Sequence, residues 1–246
     1  MSELNTHYET YKATHGDKAY RMANALDTSR VKFLVNFIQK HVKPGGKILD
    51  VGCGDMSLSK ILPEYEWVGV DIAPDMSEGR AVKHDLMVRP YPFESRSFDA
   101  VVCTEVLEHV WNLETVHLEA RRLLKDDGTY IISTPNFDNI DHHLSGFREV
   151  MYDTTFTHLA EHIRFYNEPT HRKFLERSGF KVAETVGADA HYQKFFQEGR
   201  GVLSAVLNQQ FKIPIDVGSV DQILGMMFPN WSHTIVLVSK CGAYPD

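Results

Sequence analysis

The chain has 246 residues, 43% of them hydrophobic, which suffices for one sizeable core and reads as a single domain spanning 1–246 with insertions. A formal net charge of −7, with no dense basic stripe, argues against extended nucleic acid as a partner. Three scattered cysteines (Cys53, Cys103, Cys241) give no disulfide framework and no zinc-type pair. Without a signal core or an apolar run of about 18 residues, a cytoplasmic protein with no membrane association is expected.

In chain order, Leu26, Val31, Phe33, Leu34, Phe37, Ile38 and Val42 form a helical stripe over 26–42, ended by Pro44-Gly45-Gly46. Short apolar runs then alternate with helical patterns. Strands are expected at 47–51, 67–71, 98–103, 129–134, 180–186 and 233–239, with a short one at 81–85. Helices fit at 57–62, at 112–125 before Asp-Asp-Gly, and at 168–178 before Gly179. The strands are almost continuously apolar, as strands buried on both faces are, which implies a mostly parallel sheet between helices. Two stretches interrupt the alternation, at about 135–165 and 187–231. Long excursions at strand ends tend to build binding sites, so the acceptor side of any site is expected there.

The most informative stretch is "ILDVGCGDMSLSKIL" (48–62), a strand feeding a glycine turn and then a helix. Such a turn brings backbone N–H groups close to a ligand. Two acids follow at strand ends. Asp71 stands where a carboxylate accepts ribose hydroxyls, and Asp85 where a side chain faces an adenine amino group. The three features in order describe a nucleoside site. A dinucleotide fold would want a third glycine at residue 57, and Ser57 stands there.

"ILDVGCGD", "VGVDIAP", "HDLMVRPYPFESRSFDAVVCTEVLEHV" and "LLKDDGTYIISTPN" together resemble the class I S-adenosylmethionine-dependent methyltransferases, over about 30–186 plus the last strand. The resemblance implies a Rossmann-like α/β fold: a seven-stranded, mostly parallel sheet with helices on both faces and a final antiparallel strand. It implies adenosylmethionine as cofactor. Gly52 and Gly54, with Asp50 nearby, would hold its amino-acid portion, and Asp71 the ribose. Ile72, Asp85 and Leu86 would surround the adenine, and Thr104 and Glu105 would lie under the sulfonium. Where the family usually has a third glycine this chain has Met56, which either crowds the methionine end or packs beneath the turn.

The segment "TEVLEHV" adds Glu105, Glu108 and His109, and "HLAEHIRFY" adds His162. If the first turns helically, its three side chains share one face. The set resembles the Glu-x-x-Glu-His cluster plus later His of metal-dependent ubiquinone-biosynthesis O-methyltransferases and small-RNA 3′-terminal 2′-O-methyltransferases. That resemblance allows a divalent metal on Glu105, Glu108, His109 and His162. Without a metal, these residues line the acceptor pocket and His109 or His162 is a general base. The expected activity is methylation of a small-molecule acceptor, at oxygen before nitrogen. An RNA 3′-terminal 2′-O-methyltransferase and a catalytically silent adenosylmethionine-binding protein are the rivals. Neither acceptor nor oligomeric state is written in the sequence.

Overall fold

The computed structural model describes residues 29–74, 76, 79–138, 164, 166–188 and 234–242. Its elements are α1 (Ser29–His41), β1 (Lys47–Val51), α2 (Ser57–Ile61), β2 (Glu66–Asp71), β3 (Ala81–Lys83) and β4 (Phe98–Thr104). A 3-10 turn (Leu107–His109) leads to α3 (Leu113–Leu123), β5 (Leu124–Pro135), α4 (Glu168–Arg177), β6 (Phe180–Ala188) and β7 (Thr234–Cys241). Caps explain the sharp helix starts: the Asn112 and Asn167 side chains accept from the backbone N–H of Thr115 and Thr170.

The strands form one seven-stranded sheet in the order β3-β2-β1-β4-β5-β7-β6. Neighbours from β3 through β5 pair in parallel, and β7 runs antiparallel to both β5 and β6. Alternation along each strand feeds two apolar layers. Leu49, Val101, Ile132 and Leu237 point to a core with Val116, Leu123 and Leu175 of α3 and α4. Ile48, Val102, Ile131 and Val236 point to the opposite core, with Leu34, Ile38 and Leu58 of α1 and α2. Both faces of the sheet are therefore covered, which is why its strands read as continuous apolar runs.

The expected strand at 81–85 is shorter because Asp85 starts a turn, its Oδ1 accepting from the Met87 N–H at 2.9 Å. Conversely, β5 begins at Leu124, immediately after α3, where Leu124 pairs with Phe98. The two excursions lie outside the described residues except for 135–138, 164, 187 and 188, and His162 is among the residues not described. Among the described residues no helix is long and apolar enough to cross a membrane.

Candidate cofactor and acceptor site

The strand order reverses between β1 and β4, so the turns leaving these strands open a crevice at their carboxyl ends. The two turns touch. A Cβ on Gly52 would overlap Cγ2 of Val106 and lie 2.9 Å from its Cγ1, and Gly52 has φ +76°. Glycine is thus demanded at residue 52 by the chain's own packing. Gly54 differs: its φ is +48°, and a Cβ there would meet nothing within 4 Å.

Met56 adopts the left-handed conformation as well, with φ 55° and ψ 39°. For a side-chain-bearing residue this costs about 1–2 kcal/mol. Met56 is nonetheless 2% exposed and belongs to the core beneath α1 and α2. It fits because β2 has a glycine opposite: a Cβ on Gly69 would lie 3.1 Å from Met56 Sδ and 2.5 Å from Cys53 Sγ. Of the two expectations for Met56, packing beneath the turn is the one observed.

Asp71 closes the turn from β2. Its Oδ2 accepts from the Gly54 N–H at 3.1 Å and its Oδ1 from the Ala73 N–H at 2.9 Å. Burial raises its pKa, and those backbone donors offset part of the rise. Asp50, 4% exposed, is pushed up to about 7, first by burial and then by Asp71 and Asp55. Three carboxylates around an open glycine turn suit a ligand that carries positive charge and hydroxyl donors, and repel a phosphate. Ile72 and Asp85 are partly exposed beside them, and Leu86 is buried at 8%. These residues therefore fit adenosylmethionine, whose amino acid and ribose present those groups.

At the neighbouring exit, Thr104 ends β4 and Glu105 follows at φ 53°. Glu105 Oε1 accepts from Ser133 Oγ at 2.7 Å, and Oε2 is 3.0 Å from Arg30 Nη1. The next residues turn as a 3-10 helix, so Glu105, Glu108 and His109 do not share the α-helical face expected of them. Glu108 is 1% exposed, its Oε2 has no hydrogen-bond partner, and burial followed by the Glu105 charge lifts its pKa far up. Burial and the neighbouring Glu105 charge both favour the protonated form of its carboxyl. His109 is more exposed, with Nε2 3.8 Å from Glu108 Oε1. Among the described residues no group of three or more His, Cys, Asp or Glu is arranged around an ion. One Glu105 oxygen already faces the Arg30 guanidinium, so a cation at this carboxylate would have to share or displace that pair.

Residues 21–185 match the family model described as a methyltransferase domain, more than half of the chain. The chain belongs to that family. It is a class I adenosylmethionine-dependent methyltransferase domain, with the sheet order and crevice described above. An uncharacterized protein of Methanocaldococcus jannaschii is 32% identical over 62% of this chain and 68% of its own length. A ubiquinone biosynthesis O-methyltransferase of Glaesserella parasuis is 30% identical, over 37% of this chain and 46% of its own. A second M. jannaschii protein is covered to 55%, so the chain spans about half the length of most of these curated relatives. Among solved structures, an Archaeoglobus fulgidus SAM-dependent methyltransferase superposes with a TM-score of 0.60 at 18% identity, covering 95% of this chain and 99% of that one. A Haloferax volcanii complex of the Trm112 methyltransferase activator with a putative methyltransferase gives 0.62 at 16% identity, covering 98% and 99%. These structural likenesses concern the fold.

Arg30, Ser133 and Val106 were not singled out by sequence reasoning. Arg30 lies on an ordinary amphipathic helix and Ser133 within a buried strand, so neither carried a signal. Val106 sits inside "TEVLEHV", and its role as the surface against Gly52 required the three-dimensional neighbour.

Proposed function

We propose that this domain methylates a hydroxyl group of a small-molecule acceptor, with His109 taking the hydroxyl proton. Bound adenosylmethionine supplies a methyl group on a sulfonium that leaves readily. Asp71 would hold the ribose with the acceptor capacity left after its two backbone bonds, since a carboxylate offers about four lone-pair sites. Gly52, Gly54 and Asp50 would hold the amino-acid portion. Ile72, Asp85 and Leu86 would flank the adenine, and Thr104 and Glu105 would lie under the reacting centre.

The observation that carries the reading is the fixed Glu105 carboxylate. It is clamped between Arg30 and Ser133 at the β4 exit, so it serves position and field, which assigns the proton-accepting role to the nearby exposed His109 imidazole. The same clamp favours a metal-free mechanism. His162 is proposed to join His109 only through the chain beyond residue 138.

The experiment is transfer of isotopically labelled methyl from adenosylmethionine to panels of phenols, hydroxy acids and amines. Label on a hydroxyl acceptor, with turnover about 10²–10⁴-fold lower in His109→Ala and unchanged affinity for S-adenosylhomocysteine, is the expected result. Labelling of amines alone, or unimpaired turnover in His109→Ala, overturns it.

A further inference from the structure

The segment after β3 carries Asp85 and Leu86, yet it is a turn with little regular structure of its own. It is pinned by a buried acid of α3, the helix packed in the same apolar layer. Glu119 of α3 is 0% exposed, on the apolar stripe three residues after Val116 and four before Leu123. A carboxylate there requires partners. Its Oε2 accepts from the Tyr91 N–H at 2.8 Å and from Arg122 Nη2 at 2.6 Å, and its Oε1 from Arg89 Nε at 2.9 Å. Arg122 continues the clamp by donating to the Tyr91 carbonyl at 3.0 Å and the Phe93 carbonyl at 2.9 Å. Burial alone would favour the proton on Glu119, but these bonds hold its carboxyl below the usual range.

The clamp reaches the site through one residue. Tyr91, 1% exposed, donates its hydroxyl to the Leu86 carbonyl at 2.8 Å. Leu86 packs in the same apolar layer as Tyr91 and α3. A continuous path of hydrogen bonds therefore runs from a helix on one face of the sheet, through Tyr91, to the backbone beside Asp85.

We infer that Glu119 and Tyr91 are positioning residues for nucleobase recognition: they set the height and orientation of the Asp85–Leu86 backbone against the adenine. The inference rests on the proposed placement of the base beside those two residues. Neither Glu119 nor Tyr91 touches the ligand. Their effect is on which base is accepted, because a carboxylate positioned for an exocyclic amino group discriminates only when it is held still. A purely structural role would weaken every ligand alike.

The test is calorimetric titration with S-adenosylhomocysteine and S-inosylhomocysteine, the latter carrying hypoxanthine in place of adenine. The wild-type domain is expected to prefer the adenosyl ligand by about tenfold or more, the worth of one hydrogen bond to a charged group. Tyr91→Phe and Glu119→Gln should reduce that preference to below threefold, as Asp85→Asn is expected to do. Thermal unfolding reports whether Glu119→Gln folds; Tyr91→Phe keeps the buried ring and decides the matter if it does not. An unchanged preference in Tyr91→Phe, alongside a lost one in Asp85→Asn, overturns the positioning role and leaves the base placement standing. No preference in the wild type, or a full one in Asp85→Asn, overturns the base placement and this inference with it.

Discussion

At the exits of β1 and β2 the chain is held mainly by its own backbone: the Gly54 and Ala73 amides donate to Asp71, and Gly52 lies against Val106. At the exits of β4 and β5 the corresponding groups are held by side chains from distant elements, with Arg30 of α1 and Ser133 of β5 meeting on Glu105. The first region depends on left-handed backbone at Gly52, Gly54 and Met56, against Glu105 in the second, so substitutions there are expected to be costly and local. The second depends on charge placement, so its substitutions should change chemistry more than stability.

The largest effect is expected at the contact between the two regions. Gly52→Ala combines overpacking against Val106, about 1–3 kcal/mol, with a left-handed backbone, about 1–2 kcal/mol. Denaturant unfolding should therefore show a loss of about 2–5 kcal/mol. Adding Val106→Ala should recover part of it by making room. If nothing is recovered, the glycine is required for backbone conformation alone, and the two turns are less coupled than their packing indicates.

Asp71→Ala should come next, weakening S-adenosylhomocysteine by about 2–4 kcal/mol, from two hydroxyl bonds to a charged acceptor. It also frees two backbone amides, so Asp71→Asn is the sharper probe of the ribose. A loss below threefold in both variants would remove Asp71 from ligand binding and leave it a turn residue.

These two regions also differ in how far the sequence revealed them. β1, β2, β4 and the helices α2, α3 and α4 fall within a few residues of expectation, because apolar periodicity, Asn caps and glycine stops are local signals. Gly54 and Asp71 were legible for the same reason. Glu108 was not: "EVLEH" gives spacing, and only the fold shows that one carboxyl is buried while the neighbouring imidazole is exposed. The Arg30–Glu105 pair joins residues seventy-five positions apart in number, 105 − 30, and no local pattern encodes it. Glu119 was not legible either, since a glutamate beside the apolar stripe of α3 reads as a solvated residue and only the fold shows it buried.

Met56→Gly sharpens the comparison from inside the turn. Removing a buried Met side chain costs about 2–5 kcal/mol, and relief of the left-handed backbone returns about 1–2 kcal/mol. A net stability loss of up to about 4 kcal/mol is expected, with S-adenosylhomocysteine affinity within threefold of wild type. A large affinity loss in a stably folded variant would show that the side chain below the turn shapes the ligand surface above it.

The smallest effects concern pH, where buried histidines and buried carboxyls contribute with opposite sign. Behind β4 and β5, His117 of α3 and His171 of α4 are fully buried, and their rings lie 5.8 Å apart. Facing them are Tyr130, whose hydroxyl is 3.2 Å from His117 Nδ1, and Tyr166, whose ring is 4.7 Å from that of His171. Burial lowers His117 to about 3 and His171 well below 6.5, the latter lowered further by His117. The unfolded chain therefore takes up protons below about pH 6.5 that the folded imidazoles refuse, and stability is lost as pH falls. Asp50 acts oppositely. Its folded pKa of about 7 exceeds the ordinary 3.8, so its contribution is full below 3.8 and is lost as pH rises through 7. Glu108, also raised, has the same sign as Asp50. Between pH 4 and 6.5 the two sets partly cancel in the wild type, and single substitutions should separate them. His171→Phe should make the acid side of the stability profile shallower by up to about 1.4 kcal/mol per pH unit, and Asp50→Asn should make it steeper by a similar amount. Denaturant midpoints measured across that range read both slopes. A wild-type slope in His171→Phe would mean that the folded imidazole accepts its proton as readily as the unfolded one, and that water or a partner reaches the nitrogens of His171.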